Sequence, residues 1–206
     1  MKKQNGRSSR FGLHRAAYHR HFEGYSEYEV VDENGYAHIK RVYTGMYYTH
    51  PLEGRRRVLL KALFSALWAA AAVLFVLAAA QRGVGSDRPA VAIWQALAVV
   101  GLAWAFLGLV HYLAAPRTMT VGEWRDSSQK LKRGSLIAAL FLWAAAPALM
   151  LDLLRSAENP GRHLLCAGCF LLAGACMFAL CLLERRIVYQ LSASEERAPE
   201  YAARIR

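Results

Sequence analysis

The chain has 206 residues, of which 55% are hydrophobic and 20% are charged, and its formal net charge is +11. Four windows of about 18 to 26 residues are nearly free of charge, which excludes an ordinary soluble domain, because core helices of soluble proteins are shorter and keep a polar stripe. The sequence contains no phosphate-binding glycine loop and no HExxH or GxSxG motif, so we predict no catalytic residues, no metal and no cofactor.

The N-terminal residues 1–25 are predicted to form a basic, flexible arm, because Gly6, Ser8, Ser9 and Gly12 interrupt any regular structure. No apolar run precedes residue 58, so we expect no cleaved signal peptide. The first apolar window would then act as the signal for membrane insertion.

A β-hairpin is predicted between this arm and the first apolar window. Asn34–Gly35 is a strong signal for a type I′ turn, because both central positions of that turn need a positive φ. The corresponding register pairs Val31 with His38. A bulge at the glycine would instead set Glu27 opposite Lys40, and the sequence leaves the two registers open.

Two further segments carry the residues that strands favour. A hairpin alone is only marginally stable in water and needs an additional strand or a packing surface. The stretches RTMTV at 117–121 and RIVY at 186–189 resemble RVYT at 41–44, and each follows an apolar window. We expect these three segments to form a small antiparallel sheet on one side of the membrane.

The four apolar windows are each long enough to cross a hydrocarbon layer of roughly 30 Å as a helix. The predicted fold is therefore an all-α four-helix transmembrane bundle with a small cytoplasmic antiparallel β-layer. The spans are expected at about 58–80, 90–115, 134–154 and 163–183. The predicted divisions are the arm 1–25, the hairpin and a basic lead-in 26–57, a first transmembrane hairpin 58–115, a cytoplasmic middle loop 116–133, a second transmembrane hairpin 134–183 and a cytoplasmic tail 184–206.

Lysine and arginine are distributed unevenly among the connections that flank the windows. Twenty-one of them precede the first window, lie between the second and third or follow the fourth, whereas four lie in the other two connections. The positive-inside rule then places both termini and the middle loop in the cytoplasm, in a multi-pass protein of the cell membrane.

The basic clusters beside the windows are typical of contacts with anionic lipid headgroups, and we do not expect nucleic acid binding. The headgroup candidates are Arg55, Arg56, Arg57, Lys130, Lys132, Arg133, Arg185 and Arg186.

The two halves of the chain resemble each other in order and composition. With short gaps, Arg41 aligns with Arg117 and Trp68 aligns with Trp143. In each half, a basic lead-in to an alanine-rich span lies between the arginine and the tryptophan. This pattern predicts a two-fold repeat of helical hairpins with parallel copies. The alternative is that two alanine-rich spans with basic entrances are alike only in composition.

Small residues recur inside the second and fourth windows, at Gly101, Ala105 and Gly108 and at Gly168 and Gly174. They let helix backbones approach closely and predict a compact bundle.

No acidic or basic residue lies at mid-depth in any window, which disfavours an ion or proton carrier, since such proteins usually need an intramembrane charge. Lys61 and His111 lie near window ends, where snorkelling or ordinary hydrogen bonding accounts for them.

All four cysteines lie in the fourth window, where cysteine serves most simply as a small apolar packing residue. Cys166 and Cys169 also form a C-x-x-C motif near its outer end. The chain resembles the membrane thiol oxidoreductases of the vitamin K epoxide reductase and disulfide-bond-forming families in three respects. These are this motif, the number of spans and the predicted orientation. The resemblance implies that these two cysteines face a quinone, although the second cysteine pair of those families is missing from segments 81–89 and 152–162.

We expect an accessory or scaffold protein that binds a protein partner, or a second copy of itself, through the cytoplasmic β-layer. Tyrosine and arginine are common at binding hot spots, and an open sheet edge accepts a partner strand. The candidate residues are Tyr28, Tyr36, Ile39, Arg41, Tyr43, Tyr47 and Tyr48. The alternatives are the membrane subunit of a transporter or pore complex and the thiol–quinone oxidoreductase.

Overall fold

Four long apolar helices make up most of the molecule. A computed structural model describes residues 25–31, 37–81, 89–155 and 160–193. The helices are α1 (Gly54–Ala79), α2 (Pro89–Ala114), α4 (Lys130–Arg155) and α5 (Pro160–Arg185). Each covers its predicted apolar window to within one residue, and each is long and apolar enough to cross a membrane. The helices thus define a multi-pass membrane protein with four candidate spans.

Local sequence accounts for where the helices begin. Proline occupies the first position of α2 and of α5, where its missing N–H has no intrahelical partner to lose. At the start of α1, Gly54 has a φ of 47°, a left-handed conformation that glycine adopts without steric cost.

The third long helix begins earlier than the sequence predicts. A short helix α3 (Val121–Trp124) and a π-helical turn (Arg125–Gln129) lead directly into α4. More than half of the predicted middle loop 116–133 is therefore helical. The reason is that loss of hydrophobicity ends a membrane span but does not end a helix, and Glu123 near the N-terminus suits the helix dipole.

Helix α4 lies centrally, with extensive contacts to both α2 and α5. Helix α1 packs mainly on α5, whereas its contact with α2 is much smaller. Alanine and glycine predominate where the backbones are close. A β-carbon added at Gly101 would lie 2.8 Å from the Cα of Ala138, and one added at Gly108 would lie 2.6 Å from the backbone nitrogen of Leu131. These contacts confirm the close packing predicted for the second window.

The strands form two separate antiparallel sheets. One is a hairpin of β1 (Tyr25–Val31) and β2 (Ala37–Tyr43). The other has three strands in the order β4–β3–β5, where β3 is Tyr47–Thr49, β4 is Thr118–Met119 and β5 is Gln190–Ser192.

The hairpin register differs by one residue from both predictions. Val31 pairs with Ala37 and Glu27 pairs with Arg41. Five residues, 32–36, separate the paired ends instead of two or three, so every residue acquires a different partner. The predicted turn itself lies outside the described residues.

The three-stranded sheet confirms that chain segments after the second and fourth apolar windows pair with one before the first. Its central strand is β3, however, and not the predicted segment 41–44, which belongs to β2. Strand β4 lies within the predicted segment 117–121, and β5 begins one residue after the predicted segment 186–189.

Candidate functional site

The predicted partner-binding residues are distributed over three strands. Tyr28 lies in β1, and Ile39 and Arg41 lie in β2, whereas Tyr36 lies outside the described residues. Tyr48, in β3, pairs across the sheet with residues of both β4 and β5. The structure thus divides the predicted surface between two sheets.

Tyr43 is the member of this group with the most clearly defined environment. Its ring makes edge-on contacts with Tyr25 and Tyr47, with centroid distances of 5.1 and 4.9 Å. Its hydroxyl donates to the carbonyl oxygen of Met46 at 2.7 Å and accepts from the backbone N–H of Val121 at 3.1 Å. Burial is the main cause that raises the pKa of this phenol. Tyr43 therefore stays neutral and holds together the turn that separates β2 from β3.

Some of the predicted lipid-contact residues are exposed, whereas others make hydrogen bonds or ion pairs within the protein. Arg57 donates from Nη2 to the carbonyl oxygens of Ala115 and Pro116, at 2.7 and 2.8 Å. Lys130 lies 3.9 Å from the carboxylate of Asp126. Lys132 is half-buried, and the exposed candidates are Arg55, Arg56, Arg133, Arg185 and Arg186.

Lys61 reinforces the contact that Arg57 makes. Its Nζ donates to the carbonyl oxygen of Leu113 at 2.7 Å and lies 3.4 Å from that of Ala115. The last carbonyls of a helix have no intrahelical partner, and cations near them are favourable. Two cations of α1 thus bind the C-terminal end of α2, which confirms ordinary hydrogen bonding as the explanation of Lys61.

The cysteines of the redox alternative are only partly accessible. Cys166 is buried, and its sulfur lies 3.6 Å from the carbonyl oxygen of Ala78 in α1. Cys169 is half-buried, and both cysteines are free thiols. The Cys166 side chain fills part of the α1–α5 interface, as a packing residue does.

A cluster that the sequence analysis did not predict is the most polar buried feature of the helical unit. Within the described residues, it brings together His50, Tyr112, Ser128, Glu184 and Tyr189. His50 precedes α1, Tyr112 lies in the last turn of α2, Ser128 lies in the π-helical turn before α4, and Glu184 is the penultimate residue of α5. The cluster therefore joins residues in or next to one end of each of the four long helices.

Glu184 supplies the carboxyl group of this polar cluster and is only 2% exposed. Its Oε1 accepts hydrogen bonds from the hydroxyl of Ser128 and, at 2.8 Å, from the hydroxyl of Tyr189. Its Oε2 is buried without a hydrogen-bond partner among the described residues. One oxygen of the carboxyl group thus accepts two hydrogen bonds, whereas the other is buried without a donor among the described residues.

His50 and Tyr112 continue the polar cluster on its other side. His50 Nε2 lies 3.1 Å from the Tyr112 hydroxyl, and Nδ1 accepts from the backbone N–H of Leu52 at 3.1 Å. Nδ1 also lies 3.3 Å from the carbonyl oxygen of Leu52, so the backbone of Leu52 offers this nitrogen both a donor and an acceptor. The ring of Tyr189 also makes an edge-on contact with His50, at 5.5 Å between centroids.

Burial governs the ionisation of the groups of this cluster that lie before α1 and after α5. It lowers the pKa of His50, and it raises the pKa of Tyr189 far above its usual range. The neutral forms of these two side chains are therefore favoured.

The buried face of α5 contains the signal that would have revealed Glu184. Its buried residues recur at intervals of three and four positions from the start of the helix to its last turn. They are His163, Cys166, Ala167, Phe170, Ala173, Gly174, Met177, Leu180, Cys181 and Glu184. A helix that is apolar all round does not reveal its buried face by hydrophobicity. The small and polar residues that recur on one side of α5 do indicate that face.

No protein-family model, curated protein or solved structure matches this chain. Proposals about function therefore depend on the residues and contacts described above.

Proposed function

We propose that the chain is a multi-pass membrane accessory or scaffold protein that binds a protein partner through its strands. The observation that carries the proposal is the three-stranded sheet. It is assembled from three distant chain segments, and its outer strand β5 is exposed at every residue. A sheet built from segments that flank α1, α2 and α5 is a preorganised surface, and its open edge suits the addition of a partner strand.

Exposed apolar side chains near this edge support the same proposal. Leu191 in β5 is 60% exposed, and Met46, beside β3, is 57% exposed. Among the described residues, β5 pairs only with β3, which leaves its other edge open. Unpaired edges are normally protected by charge or by covering elements, because they invite pairing with other chains. A partner strand would remove this exposure.

The proposed orientation places both termini, the strands and residues 116–133 in the cytoplasm. Its support is the excess of lysine and arginine on that side of the four windows. The exposed arginines at 55, 56, 133, 185 and 186 would then lie at the level of anionic headgroups. The proposed divisions of the chain remain those of the sequence analysis.

The proposed two-fold repeat is supported by one equivalence in the bundle. Trp68 donates from its indole nitrogen to the carbonyl oxygen of Leu102 at 3.2 Å, and Trp143 does the same to Leu171 at 3.2 Å. Each bond joins the first helix of a half to the second helix of that half. The unequal α1–α2 and α4–α5 contacts imply that the two copies have diverged in their packing.

Site-specific photocrosslinking in native membranes tests the partner-binding proposal. A photoreactive amino acid in place of Leu191 should capture the same protein in repeated experiments. That protein is either a different partner or a second copy of the chain. The same amino acid in place of Leu154, which is 83% exposed and lies near the end of α4, is the matched control. The proposal fails if position 191 captures nothing beyond what position 154 captures.

A further inference from the structure

The polar cluster has a property that partner binding does not explain. Glu184 is buried near the end of α5, close to Tyr112 near the end of α2 and to Ser128 just before α4. A carboxylate that is removed from water is costly unless each oxygen has donors. Here Oε1 has two hydroxyl donors, whereas Oε2 has none among the described residues.

The groups that face Glu184 do not supply a full counter-charge. Tyr112 from α2, Ser128 from the π-helical turn and Tyr189 after α5 are neutral hydroxyls. Lys132, at the start of α4, acts on Glu184 electrostatically but is not among its hydrogen-bond or ion-pair partners in the described part of the chain. On α5 itself, Cys181 is within electrostatic range.

The other titratable or charged neighbours of the cluster are His50 and Arg57. Burial lowers the pKa of His50 and so favours its neutral form, and Arg57 donates to the carbonyl oxygen of Ala115 beyond the end of α2. Neither is positioned as a direct partner of the carboxyl group. The least costly way to hold Glu184 in this site is therefore to bind a proton on the oxygen that lacks donors.

We propose that Glu184 is a buried proton-binding site and that its occupancy controls how firmly the ends of the four helices are held together. The proton comes from bulk water and returns to it, without any other bond change. With the proton bound, the polar cluster is neutral and closed. When the proton leaves, the buried charge draws in water or Lys132, and the contacts among Ser128, Glu184 and Tyr189 loosen. The inference is independent of the proposed partner.

Infrared difference spectroscopy of the purified protein in lipid detects the proton directly. The carbonyl band of a protonated carboxyl should be present at about pH 5.5 and absent at about pH 8.5 in the wild-type protein. Glu184→Gln should lack this band. Asp126→Asn, which changes a carboxylate on the exposed face of the same region, should retain it.

The direction in which substitutions move the midpoint pH of this band loss distinguishes proton binding from a merely structural role. Ser128 and Tyr189 donate hydrogen bonds to the carboxylate and so favour its charged form. Ser128→Ala and Tyr189→Phe should each move the midpoint up by about one pH unit. These variants keep the test decisive if Glu184→Gln does not fold.

Thermal unfolding tests the effect on the helix ends. A proton that the folded state holds more tightly than the unfolded state stabilises the protein at low pH, and this stability is lost as the pH rises and the proton leaves. Relative to Glu184→Gln, the wild-type Tm should therefore be lower at pH 8.5 than at pH 5.5, by roughly 5 °C. An absent carboxyl band in the wild-type protein, or a midpoint that Ser128→Ala leaves unmoved, would overturn the proposal.

Discussion

At the scale of single residues, the structure shows how polar groups are accommodated at one end of an apolar bundle. Arg57 and Lys61 bind carbonyl oxygens at the end of α2, so their charges complete a helix terminus instead of lying unpaired in an apolar layer. Tyr43 has a comparable role in the strands, where its hydroxyl ties the turn before β3 to the start of α3.

Replacing Arg57 with alanine should destabilise the protein, because the carbonyls of Ala115 and Pro116 would lose their charged donor. We expect a loss of about 1–2 kcal/mol, which corresponds to a fall in Tm of roughly 2–6 °C. Arg56→Ala is the matched control, since Arg56 is exposed on the adjacent position. Thermal unfolding in mild detergent measures both. Equal effects of the two substitutions would contradict the assignment.

His50 predicts an acid-side loss of stability. Its pKa is lowered in the folded state, so its contribution is complete above about pH 6.5 and is lost as the pH falls through the folded-state pKa. This sign is opposite to that of Glu184. A His50→Gln variant, which retains a side-chain hydrogen-bonding group, should show a shallower decrease in Tm between pH 6.5 and pH 4.5 than the wild-type protein. An unchanged pH profile would exclude His50 as the source.

At the scale of elements, small residues set the distance between helices. The α2–α4 contact is close because Gly101 and Gly108 face backbone atoms of α4, and Gly134 of α4 faces Ala105 of α2 in return. In α5, Gly174 makes room for the indole ring of Trp143. Lipid does not favour helix association through hydrophobicity, so close packing of this kind supplies much of the attraction.

Gly108→Ala should therefore be harmful although alanine favours helices. The added β-carbon would lie 2.6 Å from a backbone atom of Leu131, which forces α2 and α4 apart and costs about 1–3 kcal/mol. Gly168→Ala is the matched control, because a β-carbon there meets nothing within 4 Å. Thermal unfolding in detergent should show a lower Tm for the first variant and an unchanged or higher Tm for the second. A reversed order would contradict the packing.

At the scale of the whole molecule, the four helices and the strands form two compact units that the chain enters repeatedly. The helical unit comprises His50–Arg117 and Glu123–Tyr189, and the other unit contains the strands. The central β3 pairs with segments that follow α2 and α5, so the sheet depends on contacts between residues that are distant in sequence. Neither unit is therefore formed by one continuous stretch of the chain.

The proposed orientation predicts which positions are reachable from outside the cell. In a variant without its native cysteines, single cysteines at Arg82 and Asn159 should react with a membrane-impermeant maleimide on intact cells. Single cysteines at Arg55 and Asp126 should react only after lysis. Positions 82 and 159 lie in the connections with few lysines and arginines, whereas positions 55 and 126 lie in the segments that are rich in them. Labelling of the cysteine at position 55 on intact cells would show that the orientation is the opposite of the proposed one.

The sequence alone determined the four helices, because a window without charge and of span length has one stable conformation in lipid, with every backbone group bonded inside the helix. It also indicated which exits would pair as strands and where small residues would bring helices together. The starts of the helices at Pro89 and Pro160 follow from local chemistry in the same way.

The tertiary structure alone decided the hairpin register, the choice of β3 as the central strand, the helical continuation before Lys130 and the polar cluster around Glu184. A register depends on the length of the whole connection, and a helix continues through polar residues as readily as through apolar ones. His50, Tyr112, Ser128, Glu184 and Tyr189 span 140 positions in the sequence, and each is unremarkable where it stands. They act together only because packing removes them from water at the same place, where one oxygen of Glu184 is left without a hydrogen-bond donor among the described residues.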